Sequence, residues 1–414
     1  MPAQQRQGPA RVPTDKLDEA LVKVLSAAMR SLREKDSDHF LRTGKRRYWV
    51  VESPEEFARF VRVNSTVVAR SPLQTADFST MYTSFSHDVM VRRILDALRE
   101  AQDFEASRHP EGAEPPRLTT KGWSQWDGWT LEEVEGMLRL ALRHCYTTNG
   151  GVVRRQVHGM PMGWRPAPQA ANLACYVVER DWVDEMDPPG LACRFIDDLF
   201  GAGTTFPPPE RYGMDYRVTS TDPHSVTYIG VRVTNTGGTL RTLVHDREAE
   251  YSYHIVRYPE WTSTAPRTQL GGVIFGRLVF ANSICSDLDG FKQAVGHILR
   301  HALYRRYPLS LLKSVWHRFL HRHWAADIRK AELHDFFRRL LQDLRSRGVH
   351  GSPDPRVPLA PLRPPNPRAG ILQRLWLSPF DLTATPRAPG CPSTHPRSIP
   401  TTPHTKGHPT GRLH

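Results

Sequence analysis

Apolar positions recur along this chain with two different spacings. Between Lys16 and Glu34, Leu17, Leu21, Val24, Leu25, Ala28 and Leu32 form the stripe of a helix. The segment Arg46 to Val51, "RRYWVV", reads as a short strand, and Ser53-Pro-Glu-Glu opens a helix with a serine cap and a proline in its first turn. Leu73 to Ala76 reads as a short strand leading to Asp77, and Val91, Ile94, Leu95 and Leu98 return to the helical period. Thr130-Leu-Glu-Glu is a capping box, followed by the buried face Val134, Met137, Leu138, Ala141 and Leu142. A further helix is expected from about Gln169. Two apolar runs, Leu191 to Ile196 and Leu199-Phe200, flank an Asp-Asp pair and predict a hairpin with the acids at its turn. Alternating runs on either side of Asn235-Thr-Gly-Gly predict a second hairpin. The mixture of spacings predicts an α+β fold.

Composition sets the boundaries. Residues 1–14 are polar, with Pro and Gly, and 349–414 are rich in Pro, Thr, Arg and Ser without periodicity; both are expected to be disordered. Between them the expected segments are 15–70, 71–250 with a loop-like insertion at about 103–129, and 251–348. The insertion carries Trp123, Trp126 and Trp129, which suit base stacking and packing against the neighbouring segment equally well. The 414 residues carry 56 Lys and Arg against 43 Asp and Glu, a net charge of +13 that suits a polyanionic partner. Residues 291–347 alone hold 13 Lys and Arg against 4 Asp and Glu. No run approaches the roughly 18 apolar residues of a spanning helix, and the N-terminus has no apolar signal core, so no membrane partner is expected. Five cysteines, none at Cys-x-x-Cys spacing, favour a reducing compartment and disfavour structural zinc.

The chemistry concentrates in three stretches. Asp197 and Asp198, in "CRFIDDLFGAG", are adjacent carboxylates, which repel and raise each other's pKa unless something positive sits beside them. The ordinary reading is a turn whose acids bond their own backbone; the chemical reading is a divalent-cation site, which calls for a third carboxylate. Asp77, in "TADFSTMYTSF", supplies one at a strand end, where a simple turn or helix cap is the alternative. If Asp77 and Asp197 lie side by side on adjacent strands, they can hold two divalent ions for an in-line phosphoryl displacement. Between them lies "RQVHGMPMGWRPAPQAANLACYVVER", whose Gly159, Gly163 and prolines make a loop that lets backbone approach a ligand.

In this order the three stretches resemble the palm of reverse transcriptases. Asp77 with Tyr82 is similar to motif A, "QVHGMPMGWRPAP" to motif B and "FIDD" to motif C; "MYT" and the methionine-glycine of motif B resemble the Penelope-like retroelement branch, related to telomerase. The later stretches "YIGVRV" and "FANSICS…RRYP" are similar to that branch's post-catalytic hairpin and thumb entrance. The resemblance covers roughly residues 46 to 320. It implies a right-hand polymerase palm, an antiparallel sheet with helices on one face, with partial fingers (15–70) and a basic helical thumb (251–348). It implies RNA-directed DNA polymerisation with two Mg2+ ions, or Mn2+, on Asp77, Asp197 and Asp198, the last less directly. Phe78, Tyr82, Gln156, Gly159, Pro161, Met162 and Gly163 would meet the incoming deoxynucleotide and template base, Tyr82 as the steric gate against a 2′-hydroxyl. Tyr228, Ile229 and Gly230 would grip the primer. The implied partners are an RNA template, a DNA primer and deoxynucleoside triphosphates, and the implied location is intracellular, nuclear if the source is eukaryotic.

The pattern departs from the family in two places. The fingers motif that grips the triphosphate is not legible; only Lys45, Arg46, Arg47 and Arg62 stand available, so an N-terminal truncation is expected. No endonuclease signature follows the thumb. The alternative function is a catalytically inactive, nucleic-acid-binding relic of a retroelement. His317, His321 and His323 share helical spacing, but lacking an acid or cysteine beside them they read as an exposed basic face rather than a metal cluster.

Overall fold

The computed structural model describes residues 14–186, 190–251, 255–324 and 329–346. The expected disordered ends, 1–14 apart from Thr14 and 349–414, lie outside the described residues.

The chain begins with α1 (Thr14–Thr43), whose Leu21, Val24, Leu25, Ala28 and Leu32 are fully buried. It runs past the end of the expected stripe, and near its end Asp36 accepts a hydrogen bond from the Arg47 backbone N–H at 2.7 Å. The expected strand at 46–51 does not form. Tyr48, Trp49, Val50 and Val51 are all buried, and the segment's one β-bridge is a parallel pairing of Val50 with Arg194. Side-chain packing fixes this segment, so its backbone pairs at a single residue.

Helix α2 (Pro54–Val63) is capped by Ser53, which accepts from the Glu56 N–H, and is followed by a single turn, α3 (Ser65–Val68). Strand β1 (Leu73–Phe78) leads through α4 (Met81–Ser84) into α5 (His87–Ala106). The tryptophan-rich insertion holds a small hairpin, β2 (Arg117–Thr119) and β3 (Gly122–Ser124), in which Trp123 donates to the Ser31 hydroxyl of α1 at 2.9 Å. Helix α6 (Leu131–Arg143) has the Thr130–Glu133 capping box. A hairpin that the hydrophobic pattern does not mark follows, β4 (Tyr146–Asn149) and β5 (Val152–Arg155), turned by Gly150 and Gly151. Helix α7 (Ala167–Glu185) precedes β6 (Leu191–Phe195) and β7 (Asp198–Ala202), the Asp-Asp hairpin. After α8 (Pro209–Tyr212) and β8 (Tyr216–Val218) come β9 (Ser225–Tyr228), β10 (Val231–Thr236) and β11 (Thr239–Val244). Four helices close the described chain: α9 (Arg267–Ile284), α10 (Leu288–Tyr304), α11 (Leu309–His323) and α12 (Lys330–Ser346). The class is α+β, as the two spacings require.

The principal sheet is antiparallel, in the order β6-β7-β1-β8. Strand alternation divides its residues between two cores. Ala76, Phe78, Ala192 and Leu199 face the core built with α1, α5, α6 and α7. Leu73, Leu191, Cys193, Phe200 and Ala202 face the other way, against α2 and the smaller sheet β11-β10-β9. A third core joins α9 to α12.

On the helix side, Arg194 of β6 is fully buried and so is Glu179 of α7. The Arg194 guanidinium donates to both Glu179 carboxylate oxygens, to the Asn172 side chain at 2.8 Å, to the Asn172 carbonyl at 3.2 Å and to the Ile196 carbonyl at 3.0 Å. Removing one partner of such a pair leaves an uncompensated buried charge, at a cost of about 3–5 kcal/mol. Glu179→Ala is therefore expected to lower the free energy of unfolding by about that amount in chemical denaturation. Replacing both partners together by leucine and methionine should recover most of the loss; a double variant as unstable as the single one would contradict the buried-charge account.

Candidate active site

The three acids meet at one end of the principal sheet. Asp77 is the register partner of Asp198 across β1 and β7, so their side chains rise on the same face, the one opposite the core built with α1, α5, α6 and α7. Asp197 occupies the turn between β6 and β7 rather than a strand, and its carbonyl accepts from the Phe78 N–H at 3.0 Å. The neighbour that faces Asp77 across the ladder is thus Asp198, not Asp197. Pairing of Phe195 with Asp198 leaves Ile196 and Asp197 as a two-residue turn. Ile196 holds φ at 53°, a position that tight hairpins give to glycine. A β-branched residue there costs on the order of 1–3 kcal/mol. The Arg194 bond to its carbonyl braces this strained tip.

Electrostatics reflect the crowding. Burial, then Asp197 and Asp77, push the Asp198 carboxyl up to about 6. Burial, then Asp197, raise Asp77 as well, while Arg217, its register partner on the other side, acts in the opposite sense. None of the three carboxylates makes an ion pair among the described residues, and no three His, Cys, Asp or Glu side chains there close on a single centre that could hold a metal ion.

Tyr82 lies half-buried in α4; burial, then the Asp197 charge, raise its hydroxyl's pKa. The loop before α7 is bolted onto this helix. Met160 donates to the Tyr82 carbonyl, Gly159 donates to the Phe85 carbonyl at 2.8 Å, and the rings of His87 and His158 meet the Gly159 and Ser84 carbonyls at 2.8 and 3.1 Å. Gly159 has φ at 77°, and a Cβ on it would stand 2.6 Å from the Tyr82 carbonyl oxygen. Only glycine fits both conditions. Gly163 also has positive φ, 88°; Pro161 is buried and Met162 is exposed. Trp164, buried, anchors the loop to α1 by donating to Asp18 at 2.9 Å.

Two residues expected to meet substrate lie elsewhere. Phe78 falls on the helix face by strand alternation and is buried edge-on against Tyr212 and Tyr216, so its ring is core rather than substrate surface. Gln156 donates to the His158 carbonyl and lines a cavity of about 260 Å³ with His87, Arg139, Arg143 and Arg155, whose wall includes none of the three acids. Tyr228, Ile229 and Gly230 form the tip between β9 and β10. Tyr228 is buried against Phe57 and Phe200 and donates to the Asp198 carbonyl at 3.0 Å, tying this tip to the acidic strand. Ile229 and Gly230 both have positive φ.

The four basic residues expected to stand free upstream are occupied. Lys45 donates to the Met186 carbonyl, Arg46 to the Tyr48 carbonyl, Arg47 to Asp184 and Arg62 to the Ile284 carbonyl. Two others approach the strained tip at Ile196. Arg30 and Arg33 of α1 line a cavity of about 540 Å³ whose wall also includes Gln169, Asn172 and Ile196. Arg33 has Glu56 at 3.1 Å, whereas Arg30 is exposed. Their spacing of three on one helix, beside the buried stripe, is the signal in the sequence that points to them.

No family model matches the chain, and no curated protein matches its sequence. Among solved structures, the telomerase from Candida albicans in complex with the TWJ fragment of telomeric RNA is similar at 13% identity, covering 79% of this chain and 54% of that one with a TM-score of 0.49. The apo telomerase from Candida tropicalis is similar at 12% identity, over 80% of this chain and 55% of that one, with a TM-score of 0.40. The Sicinivirus 3Dpol RNA-dependent RNA polymerase is similar at 12% identity, over 65% and 54%, with a TM-score of 0.37. The chain spans about half the length of each.

The geometry of the acids and of the Gly159 loop can each be tested by stability. A carboxyl whose pKa is raised by folding favours the folded state below its ordinary value, and that contribution is lost as pH rises through the raised value. For Asp198 the window runs from 3.8 to about 6. Without divalent cations, Asp198→Asn should therefore melt higher than the unaltered protein at pH 8, and the difference should vanish near pH 4; equal differences at both would contradict the crowding. Gly159→Ala should destabilise the fold by about 1–3 kcal/mol, read by chemical denaturation.

Proposed function

We propose that this chain is the polymerase portion of a reverse transcriptase of the Penelope-like, telomerase-related kind, extending a DNA primer on an RNA template. The observation that carries the reading is the register of Asp77 against Asp198 with Asp197 at the adjoining tip, three carboxylates at one end of the principal sheet with no ion pair among the described residues. The ordered motifs around Asp77, Gly159 and Asp197 support it.

Asp77, Asp197 and Asp198 would hold Mg2+, which when bound activates the attacking 3′-hydroxyl and stabilises the leaving phosphate oxygen. The chain's own residues do the positioning. Arg194 holds the acidic tip in its strained turn from the helix side. Tyr228 ties the tip formed by Ile229 and Gly230 to the strand of Asp198, so a primer end resting on that tip keeps a constant distance from the acids. The Gly159 loop fixes Tyr82 at its backbone, leaving the ring beside Asp197 to fill the space of a 2′-hydroxyl. Arg217, the register partner of Asp77, is a basic group beside the acids.

A binding-only relic is the second reading, favoured by one observation: Lys45, Arg46, Arg47 and Arg62 are all committed to structural partners. Primer extension on an RNA template with Mg2+ separates the two readings. Asp197→Asn should abolish extension while leaving primer–template affinity unchanged; extension that survives this substitution would sink the polymerase reading.

Tyr82→Ala tests sugar choice. Excluding an extra hydroxyl by overpacking costs on the order of 1–3 kcal/mol, about tenfold to a hundredfold in preference. The ratio of kcat/KM for deoxynucleotide over ribonucleotide should fall by that factor in the variant. Equal losses on both sugars would make Tyr82 a core residue only.

A further inference from the structure

Helix α4, which carries Tyr82, is one turn long. The N–H groups of Thr83 and Ser84 return to the Thr80 carbonyl, and the last carbonyls of any helix find no partner within it. A turn so short does not persist alone in water, because nucleation fixes several residues for a single bond. Here one outside segment takes the open carbonyls. Tyr82 accepts from the Met160 N–H, Ser84 from the His158 ring and Phe85 from the Gly159 N–H. The Gly159 loop is thus the cap that α4 lacks.

The loop is fastened in return. Its Gly159 carbonyl meets Nε2 of His87, the first residue of α5, at 2.8 Å, while Nε2 of His158 meets the Ser84 carbonyl at 3.1 Å. A carbonyl can only accept, so Nε2 carries the proton in both rings. His158 reaches from the loop to the turn, and His87 reaches from the helix after the turn back to the loop. The two donors cross the same joint in opposite directions. They are not equal in weight. Gly159 is buried, so a carbonyl there that lost its donor would go unpaired at a cost. His158 is exposed, and water can replace much of its bond.

We propose that His87 and His158 are positioning residues for Tyr82: they hold the capping loop on α4, His87 carrying most of the effect, and so fix where the Tyr82 ring stands. The consequence for sugar choice rests on the reading of Tyr82 as the residue that meets the nucleotide sugar; the positioning itself does not. Substitution can separate the donor from the bulk of the ring. The glutamine amide nitrogen stands about as far from Cα as the histidine Nε2 and donates as it does, whereas leucine occupies similar space and donates nothing.

The test uses the full chain labelled with 3-fluorotyrosine, without nucleotides or divalent cations. The ¹⁹F signal of Tyr82 is the one that disappears in Tyr82→Phe. It should move or broaden in His87→Leu, return to its place in His87→Gln, and respond less to His158→Leu. Hydrogen exchange at the Gly159 and Met160 amides should quicken roughly twofold to tenfold in His87→Leu and recover in His87→Gln. A Tyr82 signal that stays in place in His87→Leu while those amides exchange faster would mean that the ring is placed by its own packing, and would overturn the proposal. Equal displacement in the leucine and glutamine variants would overturn it too, since the lost ring and not the lost donor would be the cause. If His87→Leu does not fold, the exposed His158 decides by the same comparison of leucine with glutamine. Primer extension on an RNA template adds the functional arm: the ratio of kcat/KM for deoxynucleotide over ribonucleotide should fall several-fold in His87→Leu and recover in His87→Gln. A chain that extends nothing sinks the polymerase reading alone, and the ¹⁹F comparison still decides the positioning.

Discussion

The buried ion pair between Arg194 and Glu179 is the constraint on which the acidic end of this molecule depends. A strand that alternates faces sends Arg194 toward the helices and its neighbours Cys193 and Phe195 the other way. The guanidinium then has to find acceptors inside the protein, because desolvating an unpaired charge costs several kcal/mol. It finds Glu179 and Asn172 on α7 and, with the donor left over, the carbonyl of Ile196. One residue thus fixes α7 beneath the sheet and the Asp-Asp turn above it. Tyr212, which donates to Glu179 at 3.4 Å, brings α8 into the same network.

A second consequence of this design is where strain is placed. Among the described residues three non-glycine positions have positive φ, and two of them, Ile196 and Ile229, are the tips of the hairpins that Tyr228 links. Glycine would relax either tip. Isoleucine instead keeps a bulky side chain there, and the surrounding bonds must over-determine the backbone to hold it.

Much of this is legible in the residues. The stripes of α1, α5 and α6, the capped start of α2 and the two hairpins follow from spacing and turn chemistry, because each is a local pattern. The acids of the site are legible as types in an order. What spacing does not show is register: Asp198, not Asp197, faces Asp77, since the turn holds two residues and one of them adopts a conformation unusual for its type. Phe78 stands next to Asp77 in the chain and so looks like part of the site, whereas alternation turns the two in opposite directions. Arg194 sits in plain view within "CRFIDD", yet its burial depends on Glu179, 15 residues earlier and on another element. The commitments of Lys45, Arg47 and Arg62 are likewise long-range, and so is the cavity that brings Arg30 to Ile196.

The close approach of Gly159 to Tyr82 makes a single jaw of two segments that are far apart in the chain. Backbone meets backbone there, closer than any side chain would allow, so neither piece can swing without carrying the other. A shift of the loop backbone is carried to the backbone of α4, and a shift of α4 is carried to the loop.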